Sequence, residues 1–171
     1  MSDKLGKIEV SGTITRPANT TQYAAKDVID AATGAGVVFE SCATAAGKGG
    51  EIFDAILIDS AAPATKLDAE LWLFDTAIGT YDNDNVAFSP TDAEMLRFLG
   101  VIQFETGEAF APGAAENCAY MASRTYLPMH FKTLNTDTDY PGGLYGVLVA
   151  RNTYTPVSAE VFTMRLRIRQ W

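Results

Sequence analysis

The chain has 171 residues, a hydrophobic fraction of 47% and a formal net charge of −8 at pH 7. This length and hydrophobic content suffice for one globular domain with a sizeable core, since domains commonly hold about 100–200 residues. The acidic balance argues against nucleic acid as a partner, because binding phosphates requires clustered cations, and no apolar run approaches the ~18–20 residues that span a bilayer.

Short β-strands dominate the chain, and segments rich in Gly, Pro, Asn, Asp and Thr separate them. In chain order the predicted strands cover residues 7–14, 36–42, 51–59, 69–76, 100–104, 126–132, 143–151 and 160–171. Parallel strands would need crossovers of a dozen or more residues, usually helical, and none is visible. We therefore predict one all-β domain over residues 1–171, an antiparallel, jelly-roll-like β-sandwich of about eight strands. The polar residues 1–7 have no apolar pattern and lack the apolar core of a signal peptide, so we expect a flexible N-terminal arm and synthesis in a cytoplasm.

One short helix is predicted near residues 90–99, within FSPTDAEMLRFLG. Ser89 is the expected N-cap, Pro90 the first helical residue and Asp92 the acid at the capping-box position. Gly100 is expected to end the helix. The apolar side would consist of Met95, Leu96 and Leu99.

The stretch YDNDN upstream of this helix raises the question of a cation site. Asp82 and Asp84 resemble the first two ligands of a calcium loop. Val86 and Ala87 then stand where that loop needs its third polar ligand and its glycine, so an EF-hand is excluded. An irregular cation site at Asp82 and Asp84 stays open, but a hydrophilic turn before a capped helix is the favoured interpretation.

Residues for nucleophilic catalysis or metal binding are scarce. Any Ser-His-Asp or Cys-His system must use His130, the single histidine, which lies in a predicted strand without a nucleophile motif nearby. Cys42 and Cys118 are far apart and form no zinc-binding pattern, so two buried free thiols are expected. We expect no metal, no cofactor and no catalytic residue.

Two further patterns have a weak catalytic interpretation. The glycines of GKGG, residues 47–50, resemble a phosphate-binding loop, but a strand follows them instead of a helix, so a tight turn is expected. Several carboxylates lie in or just after predicted strands, as glycosidase pairs often do. Trp72 could serve as a sugar platform beside them, but a core tryptophan is the favoured interpretation. These carboxylates are Asp54, Asp59, Asp75 and Glu105.

The final strand carries the most unusual pattern, TMRLRIRQW. Its period of two places arginines on one face, about 6–7 Å apart, and apolar residues on the other. The arginines are Arg165, Arg167 and Arg169, and the apolar residues are Met164, Leu166 and Ile168. The row is either a solvated face offset by acids of neighbouring strands or, together with Trp171, a contact surface for an acidic partner.

Four stretches in this order resemble small virion proteins of tailed bacteriophages: ITRPANTTQYAAKDVI, LWLFDT, LPMHF and LYGVLVARNTYTPVSAEVFTMRLRIRQ. The resemblance runs from about Ile14 to the C-terminus and is to capsid decoration, or cement, proteins. It implies a non-enzymatic protein that is made in the bacterial host cytoplasm and sits on the capsid surface, bound to the major capsid protein. A homo-oligomer, dimer or trimer, is expected there, with Arg165, Arg167, Arg169 and Trp171 at a subunit contact.

Two alternatives remain open. The chain could be a carbohydrate- or receptor-binding module of a phage tail or fibre, although most of its aromatic residues fall within apolar strands rather than on exposed platforms. It could also be a glycan hydrolase on a sandwich fold.

Overall fold

The structure, a computed structural model, describes residues 6–32, 34–61, 65–79, 83–110, 118–123, 127–134 and 136–171. For residues 106–110 it describes the backbone only. These residues form ten strands and one short helix. The elements are β1 Lys7–Thr15, β2 Val28–Ile29, β3 Val37–Phe39, β4 Gly49–Asp59, β5 Ala69–Phe74, α1 Asp92–Met95, β6 Phe98–Phe110, β7 Cys118–Ala122, β8 Met129–Lys132, β9 Leu144–Ala150 and β10 Val161–Gln170.

All strand pairs are antiparallel, and the sheet order is β1-β10-β4-β7-β6-β5-β9-β2, with β8 beside β4 and β3 beside β9. The long strand β6 joins two halves, because residues 98–104 pair with β5 and its last residues pair with β7. The first half-sheet contains β1, β10, β4, β7 and β8, and the second contains β6, β5, β9, β3 and β2. The sheet curls so that β1 contacts β3 across the fold. This arrangement confirms the predicted all-β, jelly-roll-like sandwich.

The main core lies between the two half-sheets. Met164, Leu166 and Ile168 of β10 are 0% exposed and belong to the same buried cluster as Leu71 of β5 and Leu148 of β9. Burying one such side chain stabilises the fold by about 1.5–3 kcal/mol. Because these inward side chains anchor β10 in the core, the alternate residues of that strand point outward.

A second, smaller cluster covers the outer face of the second half-sheet. Val147 and Phe74 are buried there under the crossing segment 84–98, and Trp72 and Phe88 pack against them. This second cluster explains why the strand at 69–74 is apolar on both faces. β5 lies in mid-sheet, between β6 and β9.

The predicted helix is wrong in its bounds and in its cap. Thr91 is the N-cap, and its hydroxyl accepts a hydrogen bond from the amide of Glu94 while the Glu94 carboxylate accepts one from the amide of Thr91, which completes the capping box. The helix ends at Met95, and Gly100 lies inside β6. Leu96 is 85% exposed, so this single turn has no apolar side in the core.

Two strands of the structure, β2 and β7, were not predicted from the sequence. β2 has only two residues, and β7, with the sequence CAYMA, lacks the β-branched residues that mark strands. Lys7 is the first residue of β1, opposite Arg169, and not part of an arm; residues 1–5 lie outside the described part. No helix among the described residues has the length and hydropathy to cross a membrane.

Candidate functional site: the arginine face of the first half-sheet

The predicted arginine row lies on the outer surface of the first half-sheet, at the centre of a three-strand face. β10 runs between β1 and β4, so its outward side chains have neighbours on both sides. The side chains of Arg165, Arg167 and Arg169 are 47%, 44% and 36% exposed. We call the outward side chains of β1, β10 and β4 around these three residues the arginine face.

Acidic residues of the flanking strands pair with two of the arginines at close range. Arg167 stands opposite Glu9 of β1 and Asp54 of β4, and its Nε and Nη1 atoms lie 3.2 and 2.7 Å from their carboxylate oxygens. Nη1 of Arg169 lies 2.7 Å from Oε1 of Glu51. These short contacts fix the orientation of both guanidinium groups.

Arg165 is held less tightly. Its direct neighbours across the strands are Ser11 and Ile56, neither of which carries a charge. Its only ion pair within the described chain is to Glu9 at 3.8 Å, and Glu9 also binds Arg167. Its guanidinium is therefore the one on this face that is most available for another carboxylate.

A β-bulge at Phe53 shapes the end of the arginine face. The register between β10 and β4 shifts between Arg167 and Ile168, so that Phe53 has no residue directly opposite. The half-buried Phe53 ring lies under two cations, with Arg169 at 5.6 Å and Lys7 at 5.8 Å from its centroid. The bulge thus adds an aromatic surface to the face.

Trp171 closes this end of the face and is 47% exposed. Its backbone amide donates to the carbonyl of Gly49 at 3.2 Å, and its ring packs 5.4 Å from that of His130. His130 in turn has Nε2 4.0 Å from Oε2 of Glu51. The histidine therefore packs against the tryptophan and lies beside the ion pair of Glu51 with Arg169, with no nucleophile among its described contacts.

The arginine face carries both signs of charge. Four cations, with Lys7 added to the three arginines, stand among three carboxylates, those of Glu9, Glu51 and Asp54. The geometry matches the first of the two interpretations above, an outer face offset by neighbouring acids. Contact with a partner through Arg165, Arg167, Arg169 and Trp171 stays a prediction.

The four carboxylates of the hydrolase alternative each have a different partner. Asp54 pairs with Arg167, Asp75 with Arg97 at 2.9 Å, and Glu105 with Arg151 at 3.5 Å. Asp59 is buried beside Glu160, a residue that the sequence analysis did not single out. These contacts give the hydrolase alternative no support.

Asp84 is occupied by protein donors. Its carboxylate accepts hydrogen bonds from the hydroxyl of Tyr23, from Nη2 of Arg16 at 3.4 Å and from the amide of Asp30 at 3.1 Å. Asp82 lies outside the described residues. Within the described ranges there is no group of three or more His, Cys, Asp or Glu side chains that could hold a metal ion.

The structure also tests the expectations for the two cysteines and for the glycines of residues 47–50. Cys42 and Cys118 are free and buried, as predicted, and burial raises the pKa of the Cys42 thiol to about 12. Gly47 lies in a turn with φ of 73°, as expected, but Gly49 and Gly50 belong to β4. A Cβ on Gly49 would lie 2.5 Å from the carbonyl oxygen of Phe131, so this glycine allows β8 to approach β4.

Comparisons with known proteins identify no family. No protein-family model matches the chain, and no curated protein matches it. Among solved structures, a chain from Desmodium yellow mottle tymovirus matches 98% of this chain and 88% of its own length, with 13% identity and a TM-score of 0.33. A likeness at this TM-score carries no argument about function. The resemblance to phage decoration proteins therefore rests on the sequence stretches quoted above.

Proposed function

We propose that this chain is a non-enzymatic structural protein of a bacteriophage virion that binds the outside of the capsid and reinforces contacts between major capsid subunits. The observation that supports it most is the arginine face, where guanidinium groups and Trp171 stay about half exposed on a rigid sheet. Arginine and tryptophan are enriched among the residues that contribute most to protein interfaces.

The ion pairs within the face favour binding rather than oppose it. Glu9 and Asp54 hold Arg167 in place, so less side-chain entropy is lost when a partner carboxylate approaches. Arg165 keeps donor groups for such a carboxylate, because its single described ion pair is long. Both charge signs lie side by side, so the cations of one copy could pair with the carboxylates of a second copy in a self-complementary contact. A dimer or trimer on the capsid is part of the proposal.

The jelly-roll fold supports the proposal by analogy only, since viral capsid domains and lectins both use it. In this proposal the chain is made in the host cytoplasm and ends on the capsid surface, without a reaction or a cofactor.

A cryo-electron microscopy map of the virion tests the proposal. We expect density of this fold on the outside of the capsid, with the arginine face turned towards a major capsid subunit or a second copy of the chain. Density in a tail or fibre would instead establish a receptor-binding role, and absence from purified particles would overturn the virion assignment.

A further inference from the structure

A groove of about 420 Å³ lies on the outer side of the second half-sheet, away from the arginine face. Its floor comes from β5 and the end of β9, and its walls come from the turn before β2 and from the segment that leads to α1. The residues that matter for its chemistry are Lys26, Glu70, Trp72, Phe88, Pro90 and Arg151.

The half-buried indole of Trp72 is held in one orientation. Its Nε1–H donates to Oε2 of Glu70 at 3.0 Å, and its ring meets the ring of Phe88 edge-on at 5.4 Å and that of Phe98 at 5.0 Å. An aromatic ring that is fixed in advance can bind a flat apolar surface without losing rotamer freedom.

The acid of the groove, Glu70, already has partners within the protein. Oε1 of Glu70 accepts a hydrogen bond from Nε2 of Gln103 at 2.9 Å and lies 3.3 Å from Nε of Arg151. Arg151 is 35% exposed and also reaches Glu105 at 3.5 Å. This network supplies polar groups beside the indole, and its two carboxylates share one guanidinium.

Lys26 supplies a cation with no ion pair to any described residue. It has φ of 81° in a turn closed by the hydrogen bond from the amide of Asp27 to the carbonyl of Ala24. Glycine is the favoured residue in such a position. The Lys26 amide donates to Ala150 at 2.7 Å and its carbonyl accepts from Phe88 at 2.8 Å, so the strained residue is fixed on two sides.

We propose that this groove binds an acidic saccharide, a sugar ring that carries a carboxylate. The apolar face of the ring would stack on Trp72, the carboxylate would pair with Lys26, and the hydroxyls would hydrogen-bond to the Glu70–Arg151 network. The ammonium group of Lys26 selects this class, because it lines the groove and makes no ion pair to a described residue, which leaves it open to a ligand carboxylate. The volume falls within the range of about 300–1,000 Å³ that is common for small-ligand sites. The proposal goes beyond the capsid role and assigns specific residues to the carbohydrate-binding alternative.

Fluorescence of Trp72 gives a direct test. The chain has two tryptophans, so Trp171→Phe leaves Trp72 as the single reporter in an otherwise complete chain. Trigalacturonate and sialyllactose are titrated as acidic probes, with methyl-esterified trigalacturonate and lactose as their uncharged counterparts. We expect a saturable change with at least one acidic probe and affinity about tenfold lower or worse for its uncharged counterpart, the loss of one charge-assisted hydrogen bond.

Lys26→Gly, made in the same background, separates binding from folding. Glycine relieves the positive φ, so the melting temperature should stay equal or rise, while affinity for the acidic probe falls about tenfold. Lys132→Gln, which removes an exposed cation from β8, should change neither. The proposal is overturned if neither acidic probe changes the fluorescence at about 10 mM, if the uncharged probe binds as tightly, or if Lys26→Gly keeps full affinity.

Discussion

Asp59 and Glu160 are two buried carboxyl groups that lie beside each other between the end of β4 and the start of β10. Both residues are at most 2% exposed. The outer oxygens, Oδ1 of Asp59 and Oε1 of Glu160, accept from the amide of Ala61 at 2.8 Å and from the hydroxyl of Tyr154 at 2.7 Å. Oδ2 and Oε2 have no described donor. A proton on Asp59 would allow one of these oxygens to donate to the other, so we infer that Asp59 stays protonated at neutral pH.

This pair should make stability fall as the pH rises. Burial, followed by the hydrogen bond and the charge of Glu160, raises the pKa of Asp59 from 3.8 to about 8. Between these values the folded protein keeps a proton that the unfolded chain releases, so its contribution is greatest below pH 3.8 and is lost as pH approaches 8. The slope from one such group is at most about 1.4 kcal/mol per pH unit. Urea denaturation at a series of pH values from acid to pH 9 measures it.

Asp59→Asn is the matched variant for this slope. Its amide can donate to Glu160 as the protonated carboxyl does, so we expect little change near pH 5 and a more stable protein than the parent at pH 9. Asp54→Asn, at an exposed ion pair of the same strand, should leave the difference between pH 5 and pH 9 nearly unchanged. Equal slopes in the parent and in Asp59→Asn would show that the pair does not hold a proton.

Arg16 and Asp84 are the second buried charged pair, and Tyr23 lies between them with hydrogen bonds to both. Arg16→Met would leave the Asp84 carboxylate without its cation, which costs about 3–5 kcal/mol at buried sites. Tyr23→Phe removes only the hydroxyl and should cost about 1–3 kcal/mol. Tyr140→Phe, at a residue that is 38% exposed, serves as the control in the same denaturation experiment. Similar losses in all three variants would contradict a stabilising network at Tyr23.

The closure of the sandwich between β1 and β3 depends on Gly12. A Cβ at this position would lie 2.1 Å from Cγ2 of Val37 and 3.2 Å from the ring of Phe39. Gly12→Ala should therefore cost about 1–3 kcal/mol through overpacking, and much of this cost should vanish when Val37→Ala is made as well. Gly6→Ala, whose Cβ would meet only Gln170 at 3.7 Å, is the control. Additive losses in the double variant would show that β1 and β3 do not press on each other there.

Local patterns predicted the faces of single strands well, as in β10, because alternation depends on neighbouring residues only. The start of the helix was not predictable in the same way. Ser89 with Asp92 and Thr91 with Glu94 have the same capping-box spacing, and tertiary contacts decide that Thr91 is the N-cap. The amide of Phe88 donates to the carbonyl of Lys26, which ties the chain before Thr91 to the turn at 24–27. The pairing of Asp59 with Glu160 likewise follows from strand order, which the sequence pattern does not contain.

The arginine face yields the last prediction, which rests on the proposed capsid role. Arg165→Gln and Arg167→Gln together remove ion pairs that are exposed, and such pairs contribute only about 0–1 kcal/mol each. The isolated fold should therefore stay nearly as stable as the parent. Occupancy on capsids should fall, because a partner's carboxylates would lose their charge-assisted hydrogen bonds. It should fall further at high salt, where the remaining charged contacts are screened.

Co-sedimentation with capsids lacking this protein measures occupancy. The control is the double variant Lys26→Gln with Arg151→Gln, which changes the net charge equally on the opposite outer face. Unchanged occupancy together with a large drop in melting temperature would mean that the arginines only brace their own sheet.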